Sequence, residues 1–183
     1  MGKPLNFKLL GGFQAQRNDG EIVSFPSKKA QALIAYLATS PGRAHSRESL
    51  ATLLWGRTGD ERARHNLRQA LTHIRQNLGE ILVTDDDCVA LDTNVCSSDV
   101  IEFSRLAERP GSDELRRCLR LYEGDFLEGL ELREPEFSDW LQVNRGRLAQ
   151  LACDVATRLA AALAAEGRNA EAEAARAVLL GRD

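Results

Sequence analysis

The sequence is poor in the residues on which metal and redox chemistry depend. It has four cysteines, Cys88, Cys96, Cys118 and Cys153, widely spaced and without a Cys-x-x-Cys pair. That pattern argues against a metal set or disulfide framework and predicts buried thiols in a reducing cytoplasm. Histidine is equally scarce. His65 and His73 lie eight residues apart on one predicted helix, too far for ligands at i and i+4, and His45 precedes a helix cap. The acidic run Asp85-Asp86-Asp87 lacks the glycine and distal glutamate of a calcium loop. There is no glycine-rich loop ending in Lys-Ser/Thr and no nucleophile–base pair. No catalytic residue, metal or cofactor is expected, and enzymatic activity is not predicted.

Targeting signals are missing too. The N-terminus Met1-Gly2-Lys3-Pro4-Leu5-Asn6-Phe7 has no apolar signal core and no Ser or Thr at position 6 for myristoylation. The longest apolar stretch, Leu148 to Ala165, is interrupted by Asp154 and Arg158, which disfavours a membrane span. What remains is 183 residues, 43% hydrophobic and 28% charged, too apolar for a disordered chain and long enough for one large domain or two small ones.

The net charge of −3 conceals an asymmetry. Residues 1–80 hold twelve Lys and Arg against six Asp and Glu, a net +6; residues 81–183 hold twelve against twenty-one, a net −9. Such a split suits a polyanion-binding part joined to a part with another task.

The first 25 residues read as strands. Phe7 to Leu10, Phe13 to Gln16 and Ile22 to Phe25 are separated by Gly11-Gly12 and by the turn signal Asn18-Asp19-Gly20, which predicts a small antiparallel sheet. Three helices follow. Ser27 caps the first, with Ala30, Leu33, Ile34, Leu37 and Ala38 on its apolar face; Ser46 caps the second, with Leu50, Leu53, Leu54 and Trp55 inward. Thr58-Gly59-Asp60-Glu61 matches a capping box for the third, which runs to about Gly79. Ile81 to Thr84 and Cys88 to Leu91 then form a hairpin whose tip is Asp85-Asp86-Asp87. Pro110-Gly111-Ser112 marks a boundary. Beyond it the chain reads as helical: about Asp113–Glu123, then a long helix through Phe137, Trp140, Leu148, Val155 and Leu163. Gly167 ends that helix and Asn169 caps a return leg, giving an antiparallel pair of the kind used in helical repeats.

The third helix is the sharpest feature. Between Arg62 and Leu78 it carries four arginines and no acidic residue. Ala63, Leu67, Ala70, Leu71, Ile74 and Leu78 form one stripe, while Arg62, His65, Arg68, Gln69, Thr72, His73 and Gln76 face away. Those outward groups suit phosphates and base edges, and a major groove admits an α-helix. Arg68, Gln69 and Thr72 are the candidates for reading bases, and Arg64 and Arg75, at the flanks, for gripping phosphates. Arg62 and His65 suit either task. Arg47 and Lys28 or Lys29 are candidates for clamping the backbone near helix N-termini.

Several motifs resemble a known family. Leu10-Gly11-Gly12-Phe13, Pro26-x-Lys28-Lys29-Ala30-x-Ala32-Leu33-x-Ala35-Tyr36-Leu37-Ala38 and His45-Ser46-Arg47-Glu48-x-Leu50-Ala51-x-Leu53-Leu54-Trp55 resemble the N-terminal region of the antibiotic-regulatory activators, the SARP family. Arg64-His65-Asn66-Leu67-Arg68-Gln69-Ala70-Leu71-x-x-Ile74-Arg75-x-x-Leu78-Gly79 resembles its recognition helix. Val95-x-x-x-Asp99-Val100-x-x-Phe103 resembles its linker. Leu121-Tyr122-x-Gly124-Asp125-Phe126-Leu127-x-Gly129, Trp140 and Arg145-x-Arg147-Leu148 resemble the bacterial transcriptional activator domain that follows.

The resemblance implies a mainly α fold with small antiparallel β elements. It places an OmpR-type winged helix-turn-helix DNA-binding domain at 1–106 and a tetratricopeptide-like helical domain at 107–183. It further implies an activator that binds direct-repeat promoter sites on double-stranded DNA and contacts RNA polymerase. A homodimer is one further candidate assembly, and the expected place is the cytoplasm at the nucleoid, with no membrane partner. Two features depart from the family. The presumed wing tip is acidic, where a basic or glycine-rich tip suits a phosphate backbone. The chain also stops at Leu179-Leu180-Gly181-Arg182-Asp183, where the family continues with further helices, so the 183 residues are expected to be part of a longer regulator. The competing reading is a protein-interaction or regulatory module of a larger signalling protein, with a degenerate winged helix and a partner on the −9 half.

Overall fold

A computed structural model describes residues 5–180; the readings of residues 1–4 and of Gly181-Arg182-Asp183 lie outside them. The chain begins with β1 (Leu5–Lys8), β2 (Gly11–Gly12) and β3 (Gln14–Arg17). β1 and β3 pair antiparallel. The predicted turn follows β3 and reverses the chain toward Ile22: Gly20 sits there at φ +89° and its N–H donates to the Arg17 carbonyl at 2.9 Å. A side chain resists that left-handed backbone, which explains glycine there. The third predicted strand is not one. Ile22 makes a single bridge to Gln16, and Phe25 turns back to pack edge-on against Phe13, ring centres 5.2 Å apart.

Three helices come next: α1 (Lys28–Ala38), α2 (Arg47–Trp55) and α3 (Asp60–Leu78). Ser27 Oγ accepts from Ala30 N–H and Ser46 Oγ from Ser49 N–H, so both predicted caps form. The capping box does not. The cap position of α3 is Gly59, without a side-chain bond, because the Thr58 hydroxyl donates backward to the Trp55 carbonyl at 2.8 Å. That contact tightens the turn between α2 and α3 instead of capping the later helix.

β5 (Leu82–Thr84) and β6 (Cys88–Leu91) make the predicted hairpin. β4 (His45–Ser46), just before α2, adds to it, giving the order β4-β6-β5. Next, β7 (Cys96–Ser98) returns to lie parallel to β1, so the first sheet is mixed, β3-β1-β7. Asp99 opens α4 (Asp99–Ala107) directly after it. Its carboxylate accepts from Leu9 N–H at 2.8 Å and Leu10 N–H at 2.9 Å, tying the end of β1 to the start of α4. Burial raises its pKa above the usual aspartate value, and those backbone donors oppose the rise.

The helical half comprises α5 (Ser112–Leu121), β8 (Phe126–Glu128), α6 (Pro135–Ala165) and α7 (Asn169–Leu180). By length and composition α6 is apolar enough to cross a membrane, with an 18-residue window of mean hydropathy 1.3. Its Phe137, Leu141, Leu148, Val155, Leu159 and Leu163 are buried within the fold. Arg158, one of the two interruptions noted in the sequence, donates to the carbonyls of Ala107 and, at 2.8 Å, Arg109 at the end of α4. This is a core helix.

The two halves share one core. β2 pairs with β8 across 114 residues of chain, and Leu127 N–H donates to the Leu9 carbonyl at 2.8 Å. Gly11 and Gly124 meet so closely that a Cβ at 124 would stand 3.2 Å from Gly11 Cα. Trp140 of α6 packs at a tilt against Tyr36 of α1, ring centres 5.0 Å apart, and edge-on against Phe126 at 5.6 Å. Arg145 fastens the other side, donating to the carbonyls of Phe126 and Leu127, each at 2.9 Å.

The reading of all four cysteines as buried needs correction. Cys96 and Cys118 are buried, and burial pushes each thiol up to about 12, but Cys88 is half-buried and Cys153 is exposed. Cys88 sits at the foot of the hairpin tip and Cys153 on the outer side of α6, positions where periodicity alone is ambiguous.

Candidate nucleic-acid interface

The buried residues of α3 are Ala63, Leu67, Ala70, Leu71, Ile74 and Leu78, the stripe expected from the sequence. They lock the helix against α1 and α2 and thereby fix what faces outward. Arg62, Arg64, His65, Arg68, Gln69, Thr72, His73 and Gln76 are exposed. The helical half packs on the opposite side, through α6 against α2 and Trp140 against Tyr36, and leaves the α3 face uncovered.

That face is flanked by two depressions. The larger, about 870 Å³, lies between α3, the N-terminus of α2 and the hairpin tip. Arg64, Arg68, Thr72 and Arg75 line one wall, with Leu67 and Leu71 beneath; Ser46, Arg47 and Glu48 close one end; Asp85, Asp86 and Asp87 form the opposite rim. The smaller, about 320 Å³, is lined by His65, Arg68, Gln69, Thr72 and His73. Arg68 and Thr72 belong to both and so form the crest between them. A helix crest with donors on each flank matches the shape a B-DNA major groove accepts.

Individual side chains are differently committed. Arg68 and Gln69 extend into solvent, whereas the Thr72 hydroxyl donates to the Arg68 carbonyl at 3.0 Å within the helix. Arg75 is half-buried and donates to Thr84 Oγ1, which pins the C-terminal half of α3 to β5. The Arg47 guanidinium donates to the Asp85 carbonyl at 3.2 Å, and its backbone N–H donates to the Asp87 carbonyl at 2.7 Å. The acidic tip is therefore fastened to the start of α2 instead of swinging free. Arg62 is exposed but lines neither depression.

Lys28 and Lys29 are placed elsewhere. Lys28 Nζ reaches the Gly129 carbonyl at 3.4 Å, and Lys29 Nζ pairs with Glu134 Oε1 at 2.7 Å while lying 5.3 Å from the centre of the Trp55 ring. Both lysines reach toward the helical half. Sequence reading could not find Glu134, because only the folded chain brings it beside α1. Among the described residues no group of three or more His, Cys, Asp or Glu is arranged to hold a metal ion.

With this geometry in view, comparison with known proteins is informative for the N-terminal half. Residues 23–90 match the family described as "Transcriptional regulatory protein, C terminal". The matched segment runs from the strand-like stretch before α1 to the second hairpin strand, so it contains α3, the turn before it and the hairpin tip. This half has the three helices and hairpin of a winged helix, and over those residues its sequence is similar to that family. Among solved structures, EmbR of Mycobacterium tuberculosis, in complex with a low-affinity phosphopeptide, is similar in fold, with a TM-score of 0.63 at 20% sequence identity. The match covers 97% of this chain and 59% of that one, so the whole arrangement of winged helix and helical half recurs there, and the chain spans about three-fifths of EmbR's length. No curated protein matches the sequence.

Proposed function

We propose that the chain is a sequence-specific regulator of transcription that binds double-stranded DNA by inserting α3 into the major groove. The observation that carries this reading is the exposed crest of α3, rich in arginine and amide groups and left open by the helical half. Arg68, Gln69 and Thr72 read base edges, with Thr72 releasing its bond to the Arg68 carbonyl on contact. Arg64, Arg75 and Arg47 grip phosphates, and Arg62 and His65 support them at the N-terminal end. Lys28 and Lys29 hold the two halves together and are set aside as contacts.

By resemblance to the SARP family, we further read the chain as an activator acting at direct-repeat promoter sites. The winged helix at 1–106 grips DNA, and the tetratricopeptide-like part from 107 onward meets RNA polymerase or a second subunit, in the cytoplasm at the nucleoid. Selection of bound sequences from a random duplex library, at stated salt, tests the proposal. Enrichment of a defined motif, repeated at a fixed spacing, supports it; recovery of unbiased sequence refutes it. The acidic rim opposite the arginines favours one second reading, a protein partner bound by the helical half. That reading predicts a complex retained in high salt and no shift of any duplex in low salt.

A further inference from the structure

The turn between α2 and α3 is held from behind by a side chain of the helical half. Glu134, at the cap of α6, is 5% exposed. Its two oxygens do separate work: Oε1 takes the ion pair from Lys29 of α1 at 2.7 Å, and Oε2 accepts the backbone N–H of Arg57, in the α2–α3 turn, at 3.2 Å. The Glu134 carbonyl is occupied as well, by Ser138 N–H at 3.0 Å and Ser138 Oγ at 3.1 Å, which fixes the residue at the head of α6. Thr58 and Trp55 close the same turn from the inside. A buried carboxylate is costly to keep unless fully partnered. Here the partners are one helix of the winged domain and the backbone that sets where α3 begins.

We infer that Glu134 is a positioning residue for DNA reading: it sets the entry angle of α3 relative to α1 and couples that angle to the helical half. This rests on the DNA-binding reading above. The Glu134 side chain is buried behind the turn, outside both depressions that flank α3, so it acts through Arg57 and Lys29. A tilt of α3 moves Arg68 and Gln69 off their base edges, yet leaves flexible arginines able to find phosphates. Loss of Glu134 therefore lowers discrimination more than it lowers general affinity.

The test uses the full chain and two duplexes, one selected from the random library and one scrambled, with Kd values corrected for the active fraction. Glu134→Gln keeps the volume and an acceptor for Arg57 N–H but loses the charge. It is expected to reduce the ratio of the two affinities about tenfold, one base contact's worth, while binding to the scrambled duplex changes less than about twofold. Lys29→Met, which keeps its stem over Trp55, is expected to reduce the ratio similarly with an unchanged salt slope. A purely structural role lowers the melting temperature and active fraction of both variants and leaves the ratio intact; that result overturns the inference. Equal weakening on both duplexes with a shallower salt slope in Lys29→Met returns Lys29 to the phosphate backbone and also overturns it. If the wild-type chain shows no preference between the duplexes, the DNA reading falls first and this inference with it.

Discussion

Replacing Asp86 and Asp87 by asparagine should tighten DNA binding. Both side chains are exposed on the rim facing Arg64, Arg68 and Arg75, and the tip is tethered through Arg47, so it cannot retreat when a duplex enters. Asp85 is left intact because its carboxylate accepts from Asp87 N–H at 2.9 Å and shapes the turn. A rim carboxylate about 7 Å from a phosphate is repelled by ~0.6 kcal/mol in water, cut to ~0.25 kcal/mol by a Debye length of about 8 Å. With about two phosphates in range of each carboxylate, the double substitution relieves ~1 kcal/mol, or about fivefold in Kd, near physiological salt. At about 0.01 M salt, where screening is weak, the same sum gives roughly 25-fold. The assay is a fluorescence-anisotropy titration of one duplex at both salt concentrations. An affinity that does not change, or that falls, at low salt would show that the tip lies away from the backbone and that the docking geometry is wrong.

Other expectations are as direct. Arg75→Ala should flatten the log Kd versus log salt plot by about 0.9, the value of one phosphate contact, in equilibrium titrations. Phe103→Ala, at a fully buried position beside Tyr122, should cost about 3–5 kcal/mol in urea unfolding. Ser46→Ala removes the cap of α2 and should cost about 1 kcal/mol in the same measurement. His45 titrates below its usual 6.5 because burial, and then the charge of Arg43, disfavour the imidazolium. The unfolded chain consequently takes up that proton first, and stability should decline as pH falls through about 6.5 and below, less steeply in His45→Gln; equal slopes in the two proteins would contradict the assignment.

The helices were legible because each turns one apolar stripe inward, and α3 most clearly, since its stripe and its charged face do not mix. Ser27 and Ser46 were legible as caps because capping is a local bond. The long-range pairings were not. Nothing local in Cys96 to Ser98 announces a parallel partner at β1, and the two-residue strand Gly11–Gly12 finds its neighbour only after the helical half has folded back. Thr58 shows why a motif can mislead: its hydroxyl oxygen could accept from an N–H of the first turn of α3, but its O–H instead donates to the carbonyl of Trp55 at the end of α2. Lys29 shows the same for a site. Beside a helix N-terminus a lysine suggests phosphate, but Trp55 and Glu134, which the sequence cannot place next to it, claim it for the junction between the halves.

The central claim is that the outward face of α3 distinguishes one duplex sequence from another. A gel-shift series on library-selected and scrambled duplexes, with the wild-type chain and with Arg68→Ala/Gln69→Ala, measures this directly. The account predicts a clear preference in the wild type and its loss in the double variant, at about 1–3 kcal/mol for each base contact removed. Identical preference before and after the substitutions would contradict it.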